Sequence, residues 1–134
     1  PVVAGQSGNT GSQALAVTIR GLALKEIRIS QWFKVARKEI MVGLVNGVAV
    51  ALTTGIIVYF WTSSSGIGIV IGISMVLSMI IAGFAGAVIP IALKAVGQDP
   101  ATSSSILLTT VTDICGFLSF LGLASALSSV LGII

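Results

Sequence analysis

Hydrophobic positions along this chain gather into three long runs, Ile40–Trp61, Gly66–Leu93 and Ala101–Ile134, which carry one charge between them. Each run exceeds the roughly 20 residues that an α-helix needs to cross about 30 Å of hydrocarbon. Each therefore predicts a membrane-spanning helix, with spans drawn at 40–61, 66–93 and 100–134. A fourth uncharged stretch, Pro1–Ile19, is shorter and rich in Gly, Asn and Gln. It reads as the inner half of a helix or a broken helix that runs into apolar Ala14–Leu24, so residues 1–24 are taken as a partial helix. Residues 25–39 form a basic loop, within which Gln31–Lys38 has the pattern of a short amphipathic helix with Trp32 and Phe33 at headgroup depth. The expected fold is an all-α, polytopic transmembrane helical bundle.

Composition supports a bilayer as solvent. The 134 residues are 55% hydrophobic and only 8% charged, and the mean hydropathy is +1.12. A soluble domain carries about 25% charged residues, which this surface could not match. The order of segments is wrong for a secretory signal, where a basic start precedes the apolar core. A single cysteine, Cys115, forbids an internal disulfide, and with no histidine a transition-metal cluster is disfavoured. No nucleophile–base pair points to an enzyme.

Charge sets the expected topology. Six of the seven basic residues, Arg20, Lys25, Arg28, Lys34, Arg37 and Lys38, lie in one short segment. The positive-inside rule puts the loop over residues 20–39 in the cytoplasm. The chain then goes out through 40–61, turns at uncharged Thr62–Ser65, returns through 66–93, and leaves again, so the C-terminus is expected outside the plasma (inner) membrane. Tyr59, Phe60 and Trp61 fall where an outer aromatic belt is expected. The spacings Gly43-xxx-Gly47, Gly68-xxx-Gly72 and Ala82-xxx-Gly86 read as helix-packing seams. Pro90 is expected to end or kink its span, and Asp99-Pro100 to open the last helix as N-cap and first helical residue.

Asp113 is the one charge in the last run. An ionised carboxylate at a helix centre costs roughly 2.5–3.5 kcal/mol by insertion scales unless it meets water, a cation or a partner. Thr102, Ser105, Thr109, Asp113 and Gly116 follow steps of three and four and so share a helix face. A carboxylate flanked by hydroxyls suits a hard cation such as Mg²⁺, Ca²⁺ or Mn²⁺. Mg²⁺ gives up water reluctantly, which favours a hydrated ion touched by few carboxylates, as one Asp per chain doubled by a two-fold axis would provide. The run Gly5-Gln6-Ser7-Gly8-Asn9-Thr10-Gly11-Ser12-Gln13 lacks the ending of a phosphate-binding loop. It is polar backbone of the kind tolerated where it lines a cavity, with Asn9 and Gln13 on one helical face.

The stretch Pro1–Gln13 followed by Arg20-Gly21-Leu22-Ala23 resembles the second transmembrane helix of the MgtE family of Mg²⁺ channels. Asp99-Pro100-Ala101 and Thr112-Asp113-Ile114-Cys115-Gly116 resemble that family's last helix. The resemblance implies a homodimer with five transmembrane helices per subunit and a pore on the two-fold axis. It implies that Asp113 of each subunit binds hydrated Mg²⁺, helped by the backbone near Thr109 and by Gly116, and that Asn9 faces the pore with Gln13, Ser105 and Thr102. It further implies that the first helix and the cytosolic N-terminal and CBS domains of family members are missing here. Two departures stand out: Ser7 replaces the first Gly of the family's Gly-Gly-Asn, and Ser105 stands where an Asn is expected, with Ile106 where a Pro follows.

Two other classes compete. A proton-translocating subunit also works through one mid-membrane carboxylate, and Gly66–Gly72 faintly echoes the glycine-rich helix of rotary rings, but the Gly8-Asn9 motif has no place there. A structural membrane subunit without transport would leave Asp113 to pair with a cation elsewhere. Partners expected on the first reading are lipid, a hydrated divalent cation and a second copy, with no nucleic acid.

Overall fold

A computed structural model describes residues 1–131, and these form four α-helices with no strand among them. α1 spans Val2–Ala23, α2 Trp32–Thr62, α3 Ser65–Ala95 and α4 Pro100–Leu131. Three segments, Ile29–Thr62, Ser65–Ala95 and Pro100–Ser128, are long and apolar enough to cross a membrane. The last three residues of the final expected span lie outside the described residues.

Three boundaries differ from the sequence reading. α1 is one unbroken helix of 22 residues, about 33 Å at 1.5 Å per residue, rather than a broken one. The amphipathic segment over Gln31–Lys38 is not a separate element, because α2 starts at Trp32 and runs 31 residues without interruption. α3 continues through buried Pro90 to Ala95 rather than ending there.

The helices are joined by tight, hydrogen-bonded turns. Between α2 and α3, Ser63 takes a left-handed conformation (φ 51°) and its N–H donates to the Tyr59 carbonyl at 2.8 Å. Ser64 then caps α3 by accepting from the Ile67 N–H. Asp99 Oδ1 accepts from the Ala101 N–H at 3.0 Å, satisfying one of the donors that a helix start leaves free.

α3 is the hub. It packs against each of the other helices, α1 also runs along α4, α1 and α2 barely meet, and α2 and α4 do not touch among the described residues. Small residues on α3 make this possible: Ser74, Ser78, Ala82, Gly83, Gly86 and Ala87 are all buried. α2 comes so close that a Cβ on Gly43 would lie 2.5 Å from the Met79 carbonyl oxygen. Where lipid removes the hydrophobic drive between helices, close backbone approach and hydroxyl bonds do more of the work. The buried polar residues are accordingly Ser7, Thr10, Thr18, Ser74, Ser78, Ser104 and Thr112, with Glu39 the one acid.

Candidate functional site

α4 is divided lengthwise. Ser104, Leu108, Thr112 and Gly116 recur every four residues and are buried, while Thr102, Ser105, Thr109 and Asp113 are exposed. The buried row seats α4 on α1. A Cβ on Gly116 would lie 2.7 Å from Ala4 Cα, and one on Gly11 would meet Leu108 and Thr112 at 3.0–3.3 Å. The Ser7 hydroxyl, fully buried, lies 2.9 Å from the Ala4 carbonyl of its own turn and 3.3 Å from the Thr112 carbonyl across the seam. A second tie stands further along α4, where the Ser74 hydroxyl of α3 reaches the Ser119 carbonyl at 3.2 Å.

Asp113 follows directly on Thr112, so the seam fixes where its carboxylate emerges. From Pro100 it lies about 20 Å along the helix at 1.5 Å per residue, well inside the apolar run. The one ion pair among the described residues joins Lys38 and Glu39, so the Asp113 carboxylate has no cationic partner there. Its neighbours supply oxygen. Thr109 donates its hydroxyl proton to the Ser105 carbonyl at 2.8 Å, and Thr102 donates to the Asp99 carbonyl at 3.0 Å. A hydroxyl that has spent its proton on its own helix keeps acceptor lone pairs for a cation or the water around it. Gly116, expected in the same stripe, is turned into the α1 contact.

Asn9 and Gln13 are exposed on the other side of α1. With Gln6, Thr10 and Ser12 they line a groove of about 700 Å³ between α1 and α2, floored by Met79 and faced by Asn46. The groove's lining does not include Asp113. Within one chain the structure therefore gathers two polar sets: the amides over the α1–α2 groove, and the carboxylate stripe on α4. Asn9 is one residue, about 100° of helix rotation, past Gly8, whose missing side chain faces Thr112.

Two residues that the sequence reading passed over, Asn46 and Glu39, and one it noted only as a departure from the family pattern, Ser7, have places here. Ser7 ties the seam, and its identity alone gave no sign of this. Asn46 is the sole amide in the apolar run 40–61 and was visible by the same reasoning that found Asp113. Glu39 closes the basic segment in sequence but is 5% exposed, lining a cavity of about 200 Å³ with Lys38, Thr10 and Gln13.

The comparisons with known proteins agree with one another. Residues 1–123 match the profile of a family, MgtE, described as a divalent cation transporter. The magnesium transporter MgtE of Enterococcus faecalis is 36% identical over 124 residues, 92% of this chain and 27% of that protein. Those of Bacillus subtilis and Thermus thermophilus are 35% and 36% identical, over 94% and 95% of this chain and 28% of each relative. The chain thus spans little more than a quarter of the curated relatives it matches. By a match over nearly its whole length, carried by helices α1 and α4 and the bundle between them, this chain belongs to the MgtE family.

Proposed function

We propose that this bundle is the ion-conducting part of a Mg²⁺ transporter, in which Asp113 holds a hydrated Mg²⁺ midway across the membrane. The observation that carries the reading is an exposed, unpaired carboxylate in the middle of an apolar helix, with Thr109, Ser105 and Thr102 along the same exposed stripe. A carboxylate in hydrocarbon is costly unless water or a cation meets it, and the oxygen-only surroundings fit a hard ion. Mn²⁺ and Ca²⁺ suit the same donors. Two copies related by a two-fold axis would bring two Asp113 stripes face to face and make one pore. Thr109 flanks the ion in this arrangement, Gly116 acts only by seating α4 on α1, and Asn9 and Gln13 belong to the aqueous approach. The basic segment faces the cytoplasm by the positive-inside rule, the ion moves down its electrochemical gradient, and the protein resides in the plasma membrane.

The test is Mg²⁺ uptake into proteoliposomes under an imposed Mg²⁺ gradient and no pH gradient, compared with Asp113→Asn. Expected is uptake that the substitution abolishes while the oligomeric state stays unchanged. Equal uptake by both proteins removes Asp113 from the path. Uptake that demands a pH gradient assigns Asp113 to proton movement instead.

A further inference from the structure

We propose that the basic end of the bundle is a binding surface for anionic phospholipid headgroups, preferring them over zwitterionic ones. The proposal holds whichever ion the chain moves.

The surface is built rather than loose. After α1 the N–H groups of Glu26 and Ile27 both donate to the Gly21 carbonyl, at 2.9 and 3.0 Å. The Arg28 N–H donates to Gln31 Oε1 at 2.9 Å, and the Gln31 N–H returns to the Arg28 carbonyl at 2.9 Å. Lys94, at the end of α3, donates from Nζ to the Leu22 carbonyl at 3.1 Å. These bonds fix the short link between α1 and α2 against the bundle and so hold its charges in place.

The charges are free to bind. Lys38 pairs with Glu39 at 3.5 Å, while Arg20, Lys25, Arg28, Lys34 and Arg37 are exposed and have no ion-pair partner among the described residues. On α2, Ala36, Glu39 and Gly43 turn inward and Lys34 and Arg37 turn outward. Beside them stand exposed apolar groups, Leu24, Ile29, Trp32 and Phe33. The last two are 47% and 66% exposed, with rings edge to face at 5.7 Å. Cations beside exposed aromatic and aliphatic groups match the boundary between phosphate and acyl chain.

Depth agrees. Trp32 and Trp61 stand at the two ends of α2, about 44 Å apart at 1.5 Å per residue. A bilayer with its headgroups is about 40–45 Å thick. With Trp61 in one headgroup layer, Trp32, Lys34 and Arg37 fall at phosphate level in the other. Phosphate alone would not discriminate, since zwitterionic lipids carry it too. Five unpaired cations and one exposed acid, Glu26, in the same segment give a net positive field that favours lipids with net negative charge. The far turn, Thr62–Ser65, carries no charge and makes no such distinction.

The two tryptophans report on the two faces separately. Single-tryptophan proteins, Trp61→Phe to watch Trp32 and Trp32→Phe to watch Trp61, are reconstituted in equal mixtures of phosphatidylcholine and phosphatidylglycerol. Bromine is placed on the chains of one lipid or of the other, so composition and surface charge stay the same. Expected is stronger quenching of Trp32 by the brominated anionic lipid, with a relative association constant of about fivefold or more, the scale of one basic residue at an anionic surface. Trp61 is expected to be quenched equally by both. The preference at Trp32 should shrink toward one in about 1 M NaCl, where the screening length is ~3 Å, and in the triple variant Arg28→Gln, Lys34→Gln, Arg37→Gln. Equal quenching of Trp32 by the two lipids overturns the proposal, as does a preference that survives salt. Quenching of Trp32 by neither lipid means that protein covers this end, and overturns it too.

Discussion

The α1–α4 seam gives a prediction whose size can be worked from distances. A Cβ added at Gly116 would lie 2.7 Å from Ala4 Cα, 3.0 Å from Ala4 Cβ and 3.1 Å from Ala4 N. Carbon atoms rest about 3.5–4.0 Å apart, so Gly116→Ala demands that the two helices part by about 1 Å. Two of the three obstructing atoms are backbone and cannot rotate away. Overpacking of this kind costs about 1–3 kcal/mol, against which the helix propensity of Ala over Gly returns about 1 kcal/mol. Gly122 supplies the control, since it lies on the same helix with nothing within 4 Å of its missing side chain. Propensity acts equally at both sites, so the difference between Gly116→Ala and Gly122→Ala isolates the steric cost, about 1–3 kcal/mol. Reversible unfolding in mixed detergent micelles measures it. Gly116→Ala should be the less stable of the two and should also take up Mg²⁺ more slowly, because the displaced turn carries Asp113. Because the nearest atom is Ala4 Cα, adding Ala4→Gly should restore only part of the loss. Matched stabilities for the two single variants would falsify the seam geometry.

Other expectations follow from single contacts. Ser7→Ala removes the hydroxyl shared with the Thr112 carbonyl and should cost about 0.5–1.5 kcal/mol in the same unfolding assay, whereas Ser12→Ala, at an exposed position of α1, should be neutral. Asp99→Ala removes the cap on α4 and should cost about 1 kcal/mol; Asp99→Asn, which can still accept the Ala101 N–H, should recover most of it. Ser105→Asn changes an exposed side chain and should leave the unfolding midpoint alone while altering Mg²⁺ uptake; unchanged uptake would take Ser105 out of the ion's path.

What could be read from the sequence divides along a physical line. The runs that became α2, α3 and α4 were legible because lipid demands about 20 apolar residues per span, a constraint that a chain states without reference to its neighbours. Asp113 stood out for the same reason, being costly wherever that helix lies in hydrocarbon, and the bundle leaves it exposed. α1 was not. Its glycines and amides looked like a break, and Gly in a helix costs about 1 kcal/mol relative to Ala. Those residues instead answer two different neighbours: Ala4, Ser7, Gly8 and Gly11 fit the surface of α4, while Gln6, Asn9 and Gln13 look into the groove beside α2. Such residues have meaning only once the partner's register is known. The junction into α2 failed differently, for nothing between Trp32 and Ile40 stops a helix, and the change from basic to apolar marks the membrane boundary rather than an element boundary.

The substitution at Ser7 shows how the two kinds of information join. Read against the family pattern it is a mild loss of a glycine, with no consequence attached. In the bundle its hydroxyl reaches across to the carbonyl of the residue before Asp113, in a position where a glycine would offer the α4 backbone nothing. A chain that sets Ser there has therefore tied α1 to α4 at the height of its one mid-helix carboxylate. Close to that height, Gly116 lets the two backbones approach to contact. Hydroxyl and glycine act on the same seam, one by attraction and the other by removing an obstacle. The carboxylate's position is thus set by α1 as much as by the helix that bears it.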